Sequence, residues 1–489
     1  VTGDLPLQRN AALKRIAERS EAWDIAVIGG GSTGVGIAVD AASRGYSVVL
    51  LEQHDFGKGT SSRSTKLVHG GVRYLQQGNI SLVMEALKER GLLLRNAPHL
   101  VHDLEFIVPN YQWWEAPFYG IGMKVYDLLA GKYGFGPSRI LSREEVLVYI
   151  PTLSQDGLRG GVMYHDGQFD DARLLIDLAT TAAAHGACLL NYARVTSLGK
   201  DSDGFVNGLS FRDEESGASY ALSARSVINA TGPFCDGVRR VDDPAAKPII
   251  APSQGVHVVL PGEFLAGDTA IMVPHTRDGR VMFAIPWHGR TLIGTTDTPI
   301  PDSTLEPDAT REEVALIFET ASNYLAKRPT PADVLSVFTG IRPLVKASDS
   351  SSTAALSRDH TIEISASGLL TIAGGKWTTY RHMAEDAVDH AIVLGRLDER
   401  PCVTHELRIH DPGKHTDDAG WFARHEMARS VEDVLARRTR LLFLDTRAAL
   451  ARAPEVAREL ARELGRDEAW QRSEVAAFHE TANHYRLPA

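Results

Sequence analysis

Asp24-Ile25-Ala26-Val27-Ile28-Gly29-Gly30-Gly31-Ser32-Thr33-Gly34 is an apolar run that breaks into a glycine-rich turn. Small residues follow at Ala38, Ala41 and Ala42, and a second apolar run, Val48 to Leu51, ends in Glu52. The pattern predicts a strand, a helix and a second strand around a dinucleotide. Gly29 permits the tight turn, Gly31 lets backbone approach a pyrophosphate, and Gly34 lets the helix pack closely on the strand. The helix N-terminus offers unpaired N–H groups to phosphate, and Glu52 stands where a carboxylate meets a ribose hydroxyl. A glycine turn at an ordinary strand–helix corner is the plainer reading. The flanking strand, helix and acid together favour the dinucleotide.

Working outward, the chain has 489 residues, enough for two or three domains. Its 43% hydrophobic and 23% charged content is that of a globular protein. The net charge of −10 argues against nucleic acid as a partner. Cys188, Cys235 and Cys402 lie far apart and suggest neither a disulfide framework nor a metal site. Their expected role is buried packing. No apolar stretch approaches the ~18 residues of a spanning helix, and no secretory signal pattern opens the chain. Residues 7 to 20 place Leu13, Ile16 and Ala17 at helical spacing. This short basic helix suits either a membrane surface or packing on the protein.

Helices are expected at 81–97, from Asp170 to about 185, and at 310–327. Strands are expected near 187–198, at Ser226 to Ala230 and at Gly368 to Ile372. Residues 255–300 read as antiparallel sheet, with a hairpin at Asp278-Gly279. Beyond about 400 the chain is rich in Ala, Arg, Glu and Leu. The expected fold is α/β: a Rossmann-like dinucleotide domain over 22–110, 160–250 and 340–395, interrupted by an antiparallel β-rich substrate domain over 111–159 and 251–339. A small all-α domain over 400–489 completes it. An interrupted core suits a flavin enzyme better than a nicotinamide dehydrogenase.

Six ordered motifs carry a resemblance: Ser61 to Tyr74, Asn229 to Pro233, Gly294-Thr295-Thr296-Asp297-Thr298, Gly340-Ile341-Arg342-Pro343-Leu344, Ser357-Arg358-Asp359 and Gly374 to Arg381. Through them the chain resembles the FAD-dependent, quinone-linked glycerol-3-phosphate dehydrogenases of the D-amino-acid-oxidase-like flavoproteins. The likeness runs from about Trp23 to Arg381 and resumes from His425 to Arg440. The stretch 403–421 is shorter than is usual in the family. No DxDxDG-type loop occurs, so the calcium-binding extension of mitochondrial relatives is not expected.

The resemblance implies oxidation of sn-glycerol 3-phosphate to dihydroxyacetone phosphate by hydride transfer to noncovalent FAD, with electrons passed to a membrane quinone. Such a site needs a phosphate clamp, a proton acceptor and a dry flavin face. Arg73, Arg342, Arg358 and Lys376 are the candidate cations. His257 falls at the family's pocket histidine and is the expected base. Arg342 could instead hold the alkoxide while water takes the proton. Ser61, Ser62, Lys66, His69, Gly70, Gly232, Gly375 and Thr378 are expected to join Gly29, Gly31, Gly34 and Glu52 around the cofactor. The resemblance also implies a monotopic protein on the cytoplasmic, inner face of the cell membrane, and leaves room for a homodimer. Residues 111–126, with Trp113, Trp114 and three tyrosines, suit either a membrane interface or a domain core. A glycerol-3-phosphate oxidase using oxygen, an amine or amino-acid oxidase, and a flavin-binding protein without turnover are the alternatives.

Overall fold

The computed structural model describes residues 7–71, 79–274, 276–277, 279–346, 360–413 and 416–488. Two candidate cations, Arg73 and Arg358, lie outside them, as does Asp278 of the expected hairpin.

The run Trp23–Ile28 forms the centre of the first sheet. It is almost wholly buried, as an unalternating apolar strand of a parallel sheet must be. It pairs in parallel with Val48–Leu51 on one side and Ser219–Asn229 on the other. Cys188–Leu190 and Leu370–Gly374 extend the parallel set, and His360–Ile364 closes it antiparallel. The helices Ser32–Ser43, Asp171–Ala184 and Tyr380–Leu394 cover one face. Ala193–Lys200, Val206–Asp213 and Ser219–Asn229 form a meander that helps cover the other. The expected strand over 187–198 is therefore two strands in different layers, because Asn191-Tyr192 turns the chain between them.

Among the described residues the second sheet has ten strands. Its long members are Ile250–Pro261, Ser336–Val345, His102–Asn110 and Gly160–Gln168. The last two, and Leu67–Val68, lie within the stretches expected for the dinucleotide domain, yet they pair with the substrate-side sheet. Alternation shows why. Ile107 packs on one face of this sheet, and Phe106 and Val108 pack on the other. A strand alternating in that way needs two separate layers to bury it.

Helix signals held to within a few residues. Ile80–Asn96 is capped by Asn79, Asp171–Ala184 by Asp170, and Arg311–Tyr324 by a Thr310–Glu313 capping box. The basic N-terminal helix, Arg9–Glu18, spends its apolar side on the protein: Ile16 is buried in the core and Arg9 pairs with Asp213. Cys188 and Cys235 are buried, whereas Cys402 is half-buried and donates to Asp40.

The C-terminal helices, chiefly Thr446–Leu464 and Glu468–Asn483, do not stand apart. Leu435, Phe443 and Val456 belong to the same hydrophobic cluster as Phe106, Trp287 and Phe338 of the second sheet. Buried ion pairs add to this contact, with Arg437 and Arg438 both on Asp55 at 2.6 and 2.5 Å.

Candidate active site

The turn after Trp23–Ile28 meets the geometric demands of a pyrophosphate cradle. Gly29 has φ +109°, and a Cβ on Gly34 would lie 1.9 Å from the Gly29 carbonyl oxygen. Glu52 accepts from the N–H groups of Gly30 at 2.6 Å and His54 at 2.8 Å. Burial raises the Glu52 pKa, and these two bonds oppose the rise. A cavity of about 460 Å³ opens here, lined by Gly29, Gly31, Glu52, Ser61, Gly232 and Gly375 among others. Ser61 Oγ accepts from the Ser32 N–H at 2.9 Å, which ties the serine turn to the helix N-terminus.

A second cavity, of about 320 Å³, lies beside the second sheet. Thr60, Pro343, Gly374, Gly375, Lys376 and Trp377 line both, so the two are parts of one elongated site. Gly374 and Gly375 have φ of +80° and +72°. They carry the chain from the parallel sheet across the cavity to the helix Tyr380–Leu394. An unbranched turn of this kind admits a long ligand with a second pocket at its far end. The bare glycine backbone, the helix N-terminus and the placed carboxylate fit FAD.

His257 projects into the second cavity because its strand alternates. Val256, Val258 and Leu260 fill one face, so His257 takes the other. Its register partners are Phe338 and Gly294. The imidazole stacks on Phe338 with centroids 4.7 Å apart, and a Cβ on Gly294 would lie 2.2 Å from its ring. Nε2 is 2.9 Å from Thr65 Oγ1, and Nδ1 is buried with no hydrogen-bond partner among the described residues. Burial, and then the positive charges of Lys66 and Arg342, hold its pKa well below the ordinary range. The ring is neutral at neutral pH.

Arg342 is pinned by the carbonyls of Gln254 at 3.2 Å and Thr296 at 2.9 Å, and by Thr295 Oγ1 at 3.2 Å. Lys376 and His69 also line this pocket, and Thr378 reaches it while bonding the His69 N–H at 3.3 Å. Gly70 sits behind the wall, where its N–H donates to Tyr126 Oη at 2.9 Å and Asp166 Oδ1 at 3.3 Å. It shapes the loop through these bonds.

Two expected cofactor residues point elsewhere. Lys66 turns its ammonium into a sealed cluster, 2.7 Å from Asp171 and 2.8 Å from the Ser62 carbonyl. Ser62 is buried with it, its carbonyl also accepting from Arg440 at 3.0 Å. Neither lines the cavity; a buried ammonium needs a carboxylate, and Asp171 lies on the far side of the turn. Residues given no role from sequence do line it. Thr65 and Asp297 stood inside motifs already singled out. Arg280 follows the hairpin turn, which was its only signal. Among the described lining residues the cations Arg280, Arg342 and Lys376 stand against the carboxylates Asp166 and Asp297, while Arg63 turns its guanidinium to Glu306 at 2.7 Å.

Comparison with known proteins agrees with this geometry. Residues 24–381 match the family model described as "FAD dependent oxidoreductase", and residues 396–471 match "C-terminal domain of alpha-glycerophosphate oxidase". A probable mitochondrial glycerol-3-phosphate dehydrogenase of Caenorhabditis elegans is 40% identical over 94% of this chain and 73% of its own. The mitochondrial glycerol-3-phosphate dehydrogenase of Homo sapiens is 39% identical over 95% of this chain and 73% of its own. Among solved structures, the glycerol-3-phosphate dehydrogenase from Bacillus halodurans complexed with FAD superposes with TM-score 0.79 at 28% identity, over 98% of both chains. The L-alpha-glycerophosphate oxidase of Mycoplasma pneumoniae, at 17% identity and TM-score 0.62 over 80% of this chain, shares the fold. With two family models in series along the chain, a cavity shaped for FAD and a cationic pocket at its end, the chain belongs to the FAD-dependent glycerol-3-phosphate dehydrogenase family.

Proposed function

We propose that the protein oxidises sn-glycerol 3-phosphate at C2 to dihydroxyacetone phosphate. The observation that carries this reading is the pairing of a dinucleotide cavity with a pocket where arginines and a lysine outnumber carboxylates. A phosphate monoester is a dianion with three acceptor oxygens near pH 7, and arginine forks suit it. Bound FAD supplies the two-electron oxidant for the C2–H bond and passes the electrons on to a quinone. Arg342 and Lys376 bind the substrate, and we assign Arg73 and Arg358 to the same task. His257, neutral, accepts a proton at Nε2 from the Thr65 hydroxyl 2.9 Å away, and Thr65 in turn takes the C2 hydroxyl proton as the C2–H bond breaks. Arg342 lends charge to the oxygen as it loses that proton.

The quinone reading calls for a membrane surface. No helix of the described residues is long and apolar enough to cross a bilayer. Helix Glu115–Ala130 offers a peripheral contact instead. Tyr119, Met123 and Tyr126 bury one side of it, while Phe118, Ile121, Val125 and Leu128 are exposed on the other, up to 80% for Leu128. Trp113 and Trp114 precede it, Lys124 is exposed on it and Arg139 is exposed beyond it. Aromatic and cationic residues around an apolar face suit an anionic bilayer such as the inner face of a cell membrane.

Anaerobic addition of sn-glycerol 3-phosphate to the yellow protein tests the reading. Bleaching near ~450 nm, absent with glycerol or D-alanine, is the expected result for a flavin acting as acceptor. Persistence of the colour would defeat the assignment. Rapid peroxide release in air without quinone reduction would move the protein to the oxidases, which share the fold.

A further inference from the structure

We propose that Arg280 contacts the phosphate of the substrate and sets the preference for a phosphorylated over a plain alcohol, and that Asp297 holds Arg280 and Arg342 against the same pocket wall. The proposal rests on the glycerol-3-phosphate reading above and assigns a further residue to that site.

Asp297 follows the strand Arg290–Gly294 and is almost buried. Its Oδ1 accepts from the Ser253 hydroxyl and lies 3.5 Å from Arg342 Nη1. Its Oδ2 is ion-paired with Arg280 Nη1. One carboxylate therefore spans two guanidiniums from distant parts of the chain, and both residues line the cavity beside His257. Ser253 fixes the carboxylate, so the pair of arginines inherits a defined spacing.

Arg280 is mounted rigidly for a residue at a hairpin. The Thr276 N–H donates to the Arg280 carbonyl at 2.8 Å, and the Arg280 N–H donates to Thr276 Oγ1 at 3.1 Å. The strand Met282–Trp287 begins two residues later, with Val281 and Phe283 also lining the pocket. The Arg280 side chain is about one-quarter exposed and lines the cavity, with Asp297 on one of its nitrogens. Two forked donors set side by side by a shared carboxylate match the several oxygens of a phosphate better than one oxygen of a hydroxyl.

The test compares wild type, Arg280→Gln and Arg280→Lys in steady-state turnover with a quinone analogue as acceptor at varied sn-glycerol 3-phosphate, with inorganic phosphate as a competing probe and anaerobic bleaching of the wild type alongside. Bound flavin and melting temperature are checked on each protein. For Arg280→Gln the apparent KM should rise about 10- to 100-fold, far more than kcat falls, because a charged hydrogen bond to phosphate is lost. Inhibition by inorganic phosphate should weaken in parallel, and Arg280→Lys should recover part of both. A KM and a phosphate inhibition constant within about threefold of wild type would overturn the proposal. So would a large loss that Arg280→Lys shares in full with unchanged phosphate inhibition, which would mark Arg280 as structural. Failure of the wild type to bleach would defeat the functional reading itself, so the two failures are distinct.

Discussion

His257 shows how one side chain ties the fold to the reaction. Burial and the neighbouring Lys66 and Arg342 charges keep it neutral. An unfolded histidine takes up its proton near about pH 6.5, whereas this one resists until well below. Between those two values the unfolded chain binds more protons than the native one. Stability attributable to His257 is thus full above about pH 6.5 and falls as the pH drops beneath it, levelling once the native pKa is passed. Urea midpoints at two pH values straddling that window should differ less in His257→Gln than in wild type, and equal differences would mean a charged native ring. The same variant should lose about 10²- to 10⁴-fold in kcat if the imidazole is the base. A loss under about tenfold would leave proton removal to water beside Arg342. Arg342 itself bonds three acceptors within 3.2 Å, and Asp297 at 3.5 Å, with one planar fork. Lysine cannot reproduce that, so Arg342→Lys should lower kcat/KM by about 100-fold, read from initial rates.

At the scale of elements, the first helix and its turn depend on missing side chains. A methyl on Gly34 would meet the Gly29 carbonyl oxygen at 1.9 Å, whereas one on Gly122 would meet no atom within 4 Å and lies outside both cavities. Gly34→Ala should therefore purify with little or no flavin while Gly122→Ala keeps it, as the ratio of flavin to protein absorbance would reveal. The helix Glu115–Ala130 carries two jobs on opposite sides. Its inner side holds Tyr126, whose hydroxyl accepts from Gly70 and donates to Asp166 at 3.0 Å. Burial, and then the Asp166 charge, keeps that phenol protonated. Its outer side is the apolar face. Ile121 and Leu128 are 68% and 80% exposed, so changing both to aspartate should shift stability by no more than about 0.5 kcal/mol each. Co-sedimentation with anionic vesicles should nevertheless drop sharply. Undiminished sedimentation would remove this helix from the membrane proposal.

For the whole molecule, the C-terminal helices and the two sheets are joined through a common interior. Asp55 is fully buried at that junction. Burial alone would raise its pKa, but the Arg438 and Arg437 guanidiniums outweigh this and hold it below the usual range. Asp55→Ala would remove the carboxylate these two guanidiniums share, leaving Arg437 to Glu432 and Asp433 and Arg438 to Glu426, at a cost of roughly 3 kcal/mol. Chemical denaturation should show the loss as a shift of one cooperative transition. A separate early transition of the helical region would contradict the shared core.

Local order was legible wherever neighbours in sequence suffice. Glycine spacing identified the turn at Gly29 to Gly34, and Asp170, Thr310 and the apolar periodicity bounded their helices. Motif resemblance brought forward His257, Arg342 and Lys376. Pairing between distant strands was not legible: His102–Asn110 and Gly160–Gln168 joined the second sheet because alternating faces need two layers, which no local window contains. Side-chain direction was equally hidden. Lys66 and Ser62 sit in the right motif but turn toward Asp171 and Arg440, partners more than a hundred residues away. Arg280 and Asp297 gained their place only when Ser253, Asp297 and Arg342 met across strands. The sequence by itself therefore determined the cofactor turn, the capped helices after Asn79, Asp170 and Thr310, and the family. Tertiary structure decided which charges face the cavity, because a charge is steered by whichever partner the fold brings within hydrogen-bond reach.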